Sequence, residues 1–178
     1  MPNSRRSRNG PHRPRRHHGR HQRYDAGLPA PASVGSLITT RRGGVSDGPW
    51  RSFNLGSHVG DDPSAVSANR QRLYDTLGVT PGNVHWMEQV HGTRLVRVPS
   101  VETLPAADAA WTDQPGEVCI VMTADCLPVL FCDEAGSRVA IAHAGWRGLL
   151  SGVLESAAQV FGRPESVMVY LGPAIGPS

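Results

Sequence analysis

The stretch that decides the fold runs from Met122 to Gly148 and reads MTADCLPVLFCDEAGSRVAIAHAGWRG. Apolar runs of four to eight residues bounded by turn residues are typical of strands that lie inside a core. The pattern predicts three such strands, with a hairpin turn at Asp133–Ser137 between the second and the third. They are Val118–Thr123, Pro128–Cys132 and Arg138–Ala142.

Residues that bind soft metals stand at the ends of these strands. Cys126 interrupts the chain between the first two strands, and His143 follows the third. His91 is a further candidate, because it follows a predicted strand Val84–Val90 and lies in the turn of a predicted hairpin whose second strand is Arg94–Val98. The sequence therefore offers one thiol and two imidazoles for a shared site.

Two histidines and one cysteine are a known set of three protein ligands for catalytic zinc. The separations, 35 residues from His91 to Cys126 and 17 from Cys126 to His143, fit no short zinc-finger spacing. They suit a site assembled from several strand ends. The alternative stays open at this point, namely an inert buried Cys126 and two ordinary turn histidines.

The other two cysteines, Cys119 and Cys132, lie inside apolar strands and are interpreted as core residues. An odd number of cysteines argues against a disulfide framework. Free thiols suit a reducing compartment, so the sequence predicts a cytoplasmic protein.

Charge is distributed unevenly along the 178 residues. All 18 basic residues are arginines, and eight of them lie in the first 23 positions; from Tyr24 onward ten arginines face 15 acidic residues, a net charge of −5. A nucleic-acid interface on the folded body is therefore not expected. No apolar run approaches about 18 residues, which predicts no membrane span. The length fits one domain.

Residues 1–34 are rich in Arg, His and Pro and poor in aliphatic side chains. Such a segment buries too little surface to offset the entropy of ordering, so a disordered extension is expected here. Residues 35–178 would form the single folded domain. The remaining elements are a strand at Ser36–Thr40, a helix from Asp61-Asp62-Pro63 to Gly78, a strand at Ala106–Thr112, a helix at Trp146–Phe161 and a strand at Val167–Leu171.

Several charged residues are candidates for binding or proton transfer. Arg42 lies in a loop with paired glycines and suits phosphate or carboxylate, although a plain surface turn fits equally. Arg147, beside His143 where a helix begins, could hold an anion or simply face solvent. The spacing of Arg70 favours a solvated charge. Asp125 is a candidate general base, or a carboxylate that orients a metal-bound histidine.

Six ordered motifs, TTRRGGVS, SFNLGSHVGDDPSAV with the following NR, QVHG, TADCLPVLF, AHAGWRG and LGPAIGP, carry a family resemblance. The chain resembles the multicopper polyphenol oxidase (laccase-like) family of YfiH-type purine nucleoside enzymes over residues 35–178. The resemblance implies an α/β (α+β) fold, a layered sandwich of mixed β-sheets flanked by helices. It also implies that His91, Cys126 and His143 bind a catalytic Zn²⁺.

The activity that the resemblance implies is phosphorolysis of adenosine, inosine, guanosine or methylthioadenosine to base and sugar 1-phosphate, together with deamination of adenosine. Purine nucleoside and phosphate would be the partners, and Arg70 would contact one of them, which reverses its solvated interpretation. Copper-dependent oxidation of phenols has also been assigned to this family, and a His₂Cys site would accept copper.

The chain departs from the family pattern in two respects. Members usually continue for several tens of residues beyond GPAIGP. A third hypothesis is therefore that residues 35–178 form a domain that lacks its C-terminal part and is an inactive fragment. In addition, Trp111 stands where an aliphatic residue is usual, which changes the packing of a core strand.

Overall fold

The computed structural model describes residues 23–24 and 30–176, so the expected N-terminal extension lies, apart from Arg23–Tyr24 and residues 30–34, outside the described residues. The helices are α1 (Pro63–Leu77), α2 (Trp146–Ser151) and α3 (Val153–Ala158), with 3₁₀ turns at Gly48–Trp50, Pro81–Asn83, Gln159–Phe161 and Pro164–Ser166. The strands are β1 (Arg23–Tyr24), β2 (Ile38–Thr39), β3 (Val84–His85), β4 (Leu95–Arg97), β5 (Ala109–Thr112), β6 (Val118–Cys119), β7 (Leu127–Asp133), β8 (Val139–Ala144) and β9 (Val167–Leu171).

Five strands form the central mixed sheet in the order β4-β5-β8-β7-β9. Strands β4 and β5 are parallel, and the other neighbours are antiparallel. Strands β1 and β2 form a separate antiparallel pair, and β3 and β6 a parallel pair. This is the mixed α/β arrangement that the sequence predicted.

The two faces of the central sheet bury different clusters, because successive side chains of a strand point to opposite faces. On one face, Ala140 and Ala142 of β8 pack against Val153 and Ala157 of α3. On the other face, Ile141 packs against a second cluster. That second cluster contains Met87, Val96, Val98, Ala107 and Ala110.

Helix α1 has the termini expected from its sequence. The Asp62 carboxylate accepts a hydrogen bond from the Ser64 N–H at the first turn, and Gly78 ends the helix in the left-handed conformation at φ 71°. Its apolar residues Val66, Leu73 and Tyr74 are buried, and so is the polar residue Asn69. Within the part of the chain that the structure describes, no helix is both long and apolar enough to cross a membrane.

The predicted hairpin of Val84–Val90 with Arg94–Val98 is wrong. Strand β3 ends at His85 and pairs with β6, while β4 pairs in parallel with β5. The intervening residues make other bonds: the Gln89 side chain binds the backbone of Met122, and the backbone N–H groups of residues 90–92 bind a buried carboxylate. These bonds replace the ladder that a hairpin would need.

Three predicted boundaries also differ. The strand expected at Val118–Thr123 ends at Cys119, and β8 continues through His143 to Ala144. The helix expected at Trp146–Phe161 is interrupted at Gly152, whose φ of 95° takes the chain out of the helical path. In this segment Leu150 is 81% exposed, and Leu149 is exposed as well.

Candidate metal centre

Sheet register brings the candidate donors to one edge of the central sheet. Strands β7 and β8 are antiparallel with Leu127 opposite Ala144, so Cys126, just before β7, lies where β8 ends. Strand β5 begins on the other side of β8, with Ala109 opposite Ala142. Asp108, just before β5, therefore lies beside His143, and its carbonyl accepts the His143 N–H at 2.7 Å.

The donor atoms of His91, Cys126 and His143 all lie within 4.8 Å of one another. The Cys126 Sγ is 3.9 Å from the His91 Nε2. The two imidazole rings are edge to face, with centroids 4.8 Å apart and an interplanar angle of 72°. The structure thus brings together the three residues that the sequence nominated.

A buried carboxylate that the sequence analysis missed joins the two histidines. Asp108 is fully buried, and its Oδ1 lies 2.8 Å from the His143 Nδ1 and 2.9 Å from the His91 N–H nitrogen. Its Oδ2 accepts the N–H groups of Val90 and Gly92 at 3.1 and 2.7 Å. One signal was present in the sequence, an acidic residue within the apolar run Ala106–Ala110.

Asp125 does not orient either histidine in the structure. Its side chain is exposed, and its one described hydrogen bond is accepted by the backbone carbonyl from the Ile175 N–H at 3.0 Å. The carboxylate that contacts a histidine ring of the cluster is that of Asp108, not that of Asp125. The reason is topological, because Asp108 faces His143 across the β5–β8 ladder although it is 35 residues away in the sequence.

A side-chain amide fixes the segment that leads to Cys126. The Gln89 Nε2 donates to the Met122 carbonyl at 2.8 Å, and the Met122 N–H donates to the Gln89 Oε1 at 2.7 Å. This paired bond ties the turn that carries His91 to the segment that carries the thiol. Gln89 belongs to the QVHG motif, but its role could not be predicted because its partner, Met122, is 33 residues away in the sequence.

The residues fit a soft divalent cation. Zinc–nitrogen and zinc–sulfur bonds of about 2.0 and 2.3 Å place tetrahedral donors about 3.5 Å apart, close to the 3.9 Å between the Cys126 Sγ and the His91 Nε2. A Cβ on Gly145 would lie 3.0 Å from both the Cys126 Sγ and the His91 Cδ2, so the glycine keeps the space among the donors open. His143 is 4% exposed and its Nε2 has no hydrogen-bond partner among the described residues.

The three candidate arginines differ in environment. Arg70 is partly buried: its guanidinium lies 3.8 Å from the centroid of the Trp86 ring, and its Nε donates to the Leu55 carbonyl at 2.9 Å. Burial lowers the pKa of Arg70 below the ordinary value for arginine. Arg42 and Arg147 are exposed, and Arg147 lies over the Trp146 ring at 5.2 Å.

Arg70 also lines a surface depression of about 400 Å³ on the side of α1. Its Nε–H is used by a carbonyl, and its Nη groups have no partner among the described residues. The depression contains hydroxyl and amide side chains that can donate to an anion. Its lining comprises Ser57, Pro63, Val66, Ser67, Arg70, Gln71, Tyr74 and Pro81.

The remaining cysteines have the surroundings of core residues. Cys132 is 2% exposed, and burial raises the pKa of its thiol. Burial, with a smaller contribution from Glu117, raises the pKa of the Cys119 thiol to about 12. Both thiols therefore stay protonated at neutral pH, and a protonated thiol is a poor metal ligand.

Several known bacterial proteins are similar in sequence to this chain. The chain is 54% identical over 150 residues to a Pseudomonas aeruginosa protein named purine nucleoside phosphorylase, covering 84% of this chain and 60% of that protein. It is 50% identical over 151 residues to purine nucleoside phosphorylase YfiH of Escherichia coli, covering 84% and 62%. The chain thus spans about three fifths of the length of the curated relatives it matches.

Solved structures share the fold. The Neisseria meningitidis protein NMB0706 superposes with a TM-score of 0.81 at 48% identity, covering 88% of this chain and 64% of that one. YlmD from Geobacillus stearothermophilus superposes with a TM-score of 0.80 at 32% identity, covering 91% and 65%. The family model described as multi-copper polyphenol oxidoreductase laccase matches residues 35–178. The chain therefore belongs to the multi-copper polyphenol oxidoreductase laccase family.

Proposed function

We propose that this chain carries the metal-binding part of a purine nucleoside phosphorylase. In that reaction a phosphate oxygen attacks C1′ of the nucleoside, the C1′–N9 bond breaks, and the purine leaves with a proton, which yields free base and ribose 1-phosphate. The observation that carries the proposal is the convergence of His91, Cys126 and His143 in a chain whose relatives bear this name.

The cofactor in this proposal is Zn²⁺, held by the Cys126 Sγ and the imidazoles of His91 and His143. When bound, zinc supplies a Lewis acid that polarises an oxygen or activates water near neutral pH. The protein's own contribution is position. Cys126 and His143 are fixed by the start of β7 and the end of β8, while the exposed His91 closes the cluster on its solvent side.

Arg70 is the proposed contact to phosphate. Its stacking on Trp86 and its bond to the Leu55 carbonyl hold the guanidinium in one orientation, which leaves the Nη groups to donate. A planar guanidinium suits paired bonds to phosphate oxygens. Arg42 and Arg147 are proposed as further contacts to substrate, and their exposure suits residues that become ordered only when a ligand binds.

Two extensions of this function share the same site. Deamination of adenosine, in which water replaces the amino group and releases ammonia, would produce inosine for the same phosphorolysis. Copper-dependent oxidation of a phenol is the second candidate, and the family description together with the His₂Cys donor set favours it.

The deciding experiment uses the purified chain, stripped of metal and reloaded separately with Zn²⁺ or Cu²⁺. We expect the zinc-loaded chain to release hypoxanthine from inosine only when phosphate is present, with ribose 1-phosphate formed in equal amount. Phosphate-independent release would contradict phosphorolysis, and oxygen uptake with a phenol in the copper-loaded chain would support the oxidase. Reversible thermal unfolding with no turnover would identify a folded but inactive chain.

Replacing Arg70 by alanine tests the phosphate contact. Hydrogen bonds to charged groups contribute roughly 1.5–3 kcal/mol, so Arg70→Ala should raise the KM for phosphate by about tenfold or more. Steady-state kinetics at varied phosphate would measure the change. Arg163→Ala is the matched control, because Arg163 is exposed and its side chain has no hydrogen bond or ion pair among the described residues. Equal effects of the two variants would contradict the assignment.

A further inference from the structure

We propose that Asp108 is a positioning residue that sets both histidine donors in place before any metal binds. Its carboxylate is fully buried and lies at the centre of the cluster's framework. Four nitrogen atoms lie within 3.1 Å of its two oxygens: the backbone N–H groups of residues 90–92 donate to them, and the fourth is the Nδ1 of the His143 ring. The proposal rests on the metal site proposed above but does not depend on the reaction performed there.

The backbone around His91 forms a concavity for this carboxylate. His91 has a φ of 60°. Among the described residues, it is the only one other than glycine with a positive φ. A left-handed residue within a turn directs successive N–H groups toward one point and so forms a site for an anion. Such a conformation is strained in a non-glycine residue, and charge-assisted bonds to a buried carboxylate offset that strain.

The same carboxylate selects the tautomer of His143. An ionised carboxylate only accepts hydrogen bonds, so the His143 Nδ1, 2.8 Å from the Asp108 Oδ1, carries the proton. The Nε2 then keeps its lone pair for a metal. Carboxylates that bind the second ring nitrogen of a metal-bound histidine fix the ring's orientation and raise its basicity. Asp108 therefore fixes the tautomer and orientation of the His143 ring, and it holds the backbone of His91 in place.

No other side chain of similar size can make these four bonds. Asparagine would offer one oxygen and one NH₂ group, so two of the four donors would face another donor. Glutamate adds a methylene group at a site with no exposed surface. The variant Asp108→Asn consequently keeps the side-chain volume but loses the ability to accept all four bonds, so it is the informative substitution.

The first experiment uses the metal-free wild-type chain and needs no variant. Long-range proton–nitrogen NMR correlation at about pH 8, where an ordinary imidazole is neutral, distinguishes the two tautomers. The His143 resonances would be assigned by their absence in His143→Gln. We expect His143 to be protonated at Nδ1. Protonation at Nε2, or rapid exchange between the two tautomers, would overturn the proposal.

The second experiment compares Asp108→Asn with Asp75→Asn, a matched change at an exposed residue of α1 whose carboxylate accepts only from Gln71. Competition titrations with Zn²⁺ and the visible spectrum of the Co²⁺ form would report affinity and coordination. We expect Asp108→Asn to bind zinc about 10–100-fold more weakly, with an altered cobalt spectrum and a mixed His143 tautomer, and Asp75→Asn to match wild type.

A purely structural role for Asp108 would give a different result, namely a less stable protein whose folded form keeps the Nδ1 tautomer and the wild-type cobalt spectrum. That outcome would overturn the proposal. If Asp108→Asn does not fold, the tautomer of wild-type His143 decides. Neither measurement requires nucleoside turnover, so a failed positioning role and a failed phosphorylase activity remain distinguishable.

Discussion

The chain brings histidine next to cysteine in two regions, the edge cluster of His91, Cys126 and His143 and the short ladder of β3 and β6. In the ladder, His85 and Cys119 are direct partners in the parallel register. The His85 Nε2 lies 2.5 Å from the Glu117 Oε2, so that ring nitrogen is already bound. In the edge cluster, by contrast, the Cys126 Sγ and one ring nitrogen of each histidine all lie within 4.8 Å of one another.

The difference between the two regions is one of available donor atoms. In the ladder, the imidazole is held by a carboxylate and the thiol is kept protonated by burial, with its pKa raised to about 12. At the sheet edge, the carboxylate Asp108 binds the ring nitrogen that points away from the cluster. Residue type alone therefore does not define a metal site. Whether a histidine can bind a metal also depends on which of its ring nitrogens is already hydrogen-bonded.

The largest effect should come from removing the thiol of the edge cluster, and removing the ladder thiol is the control. Cys126→Ala removes one of three donors, so we expect zinc affinity to fall by more than the ~100-fold typical of a lost supporting residue. Metal analysis after dialysis and zinc-dependent turnover would measure it. Cys119→Ala removes a thiol of the ladder and should retain metal. Equal metal loss in the two variants would show that the thiols are not functionally distinct.

A smaller effect should come from filling the space between the edge donors. In Gly145→Ala the new methyl group would lie 3.0 Å from the Cys126 Sγ and from the His91 Cδ2, so the donors must move apart. We expect zinc to bind about tenfold more weakly, a cost of ~1.4 kcal/mol. Gly82→Ala is the control, because no heavy atom lies within 4 Å of its added Cβ. Unchanged affinity in Gly145→Ala would place the metal elsewhere.

The smallest effect concerns the ladder thiol and alkaline pH. The folded pKa of Cys119 is about 12 against an ordinary value of 9.0, so between these values the folded chain keeps a proton that the unfolded chain releases. The free energy of unfolding should therefore be unaffected by this group below pH 9 and should decrease above it, by at most about 1.4 kcal/mol per pH unit.

Urea unfolding of wild type and Cys119→Ala at several values between pH 8 and about 11 would test this prediction. The alkaline loss of stability should be shallower in the variant. Identical slopes would mean that the thiol is hydrated in the folded chain, and the contrast with the edge cluster would then rest on geometry rather than on ionisation.

Much of the local structure followed from the sequence. Helix α1 was predictable because its signals are local: an acidic cap at Asp62, proline in the first turn and Gly78 at the end. Strand β9 was found with its observed bounds, and β7 and β8 to within two residues at each end. The partners of β3 and β4 were not predictable, because pairing depends on bonds formed by residues far apart in the chain.

The sequence by itself determined which residues could bind a metal: it offered one thiol, two imidazoles and the ordered motifs that identify the family. Only the tertiary structure decided how they are held. Asp108, Gln89 and Gly145 act on partners that are 16 to 54 residues away. Such contacts leave no periodic signal, since they arise where β5 and β7 begin and β8 ends at one edge of the sheet.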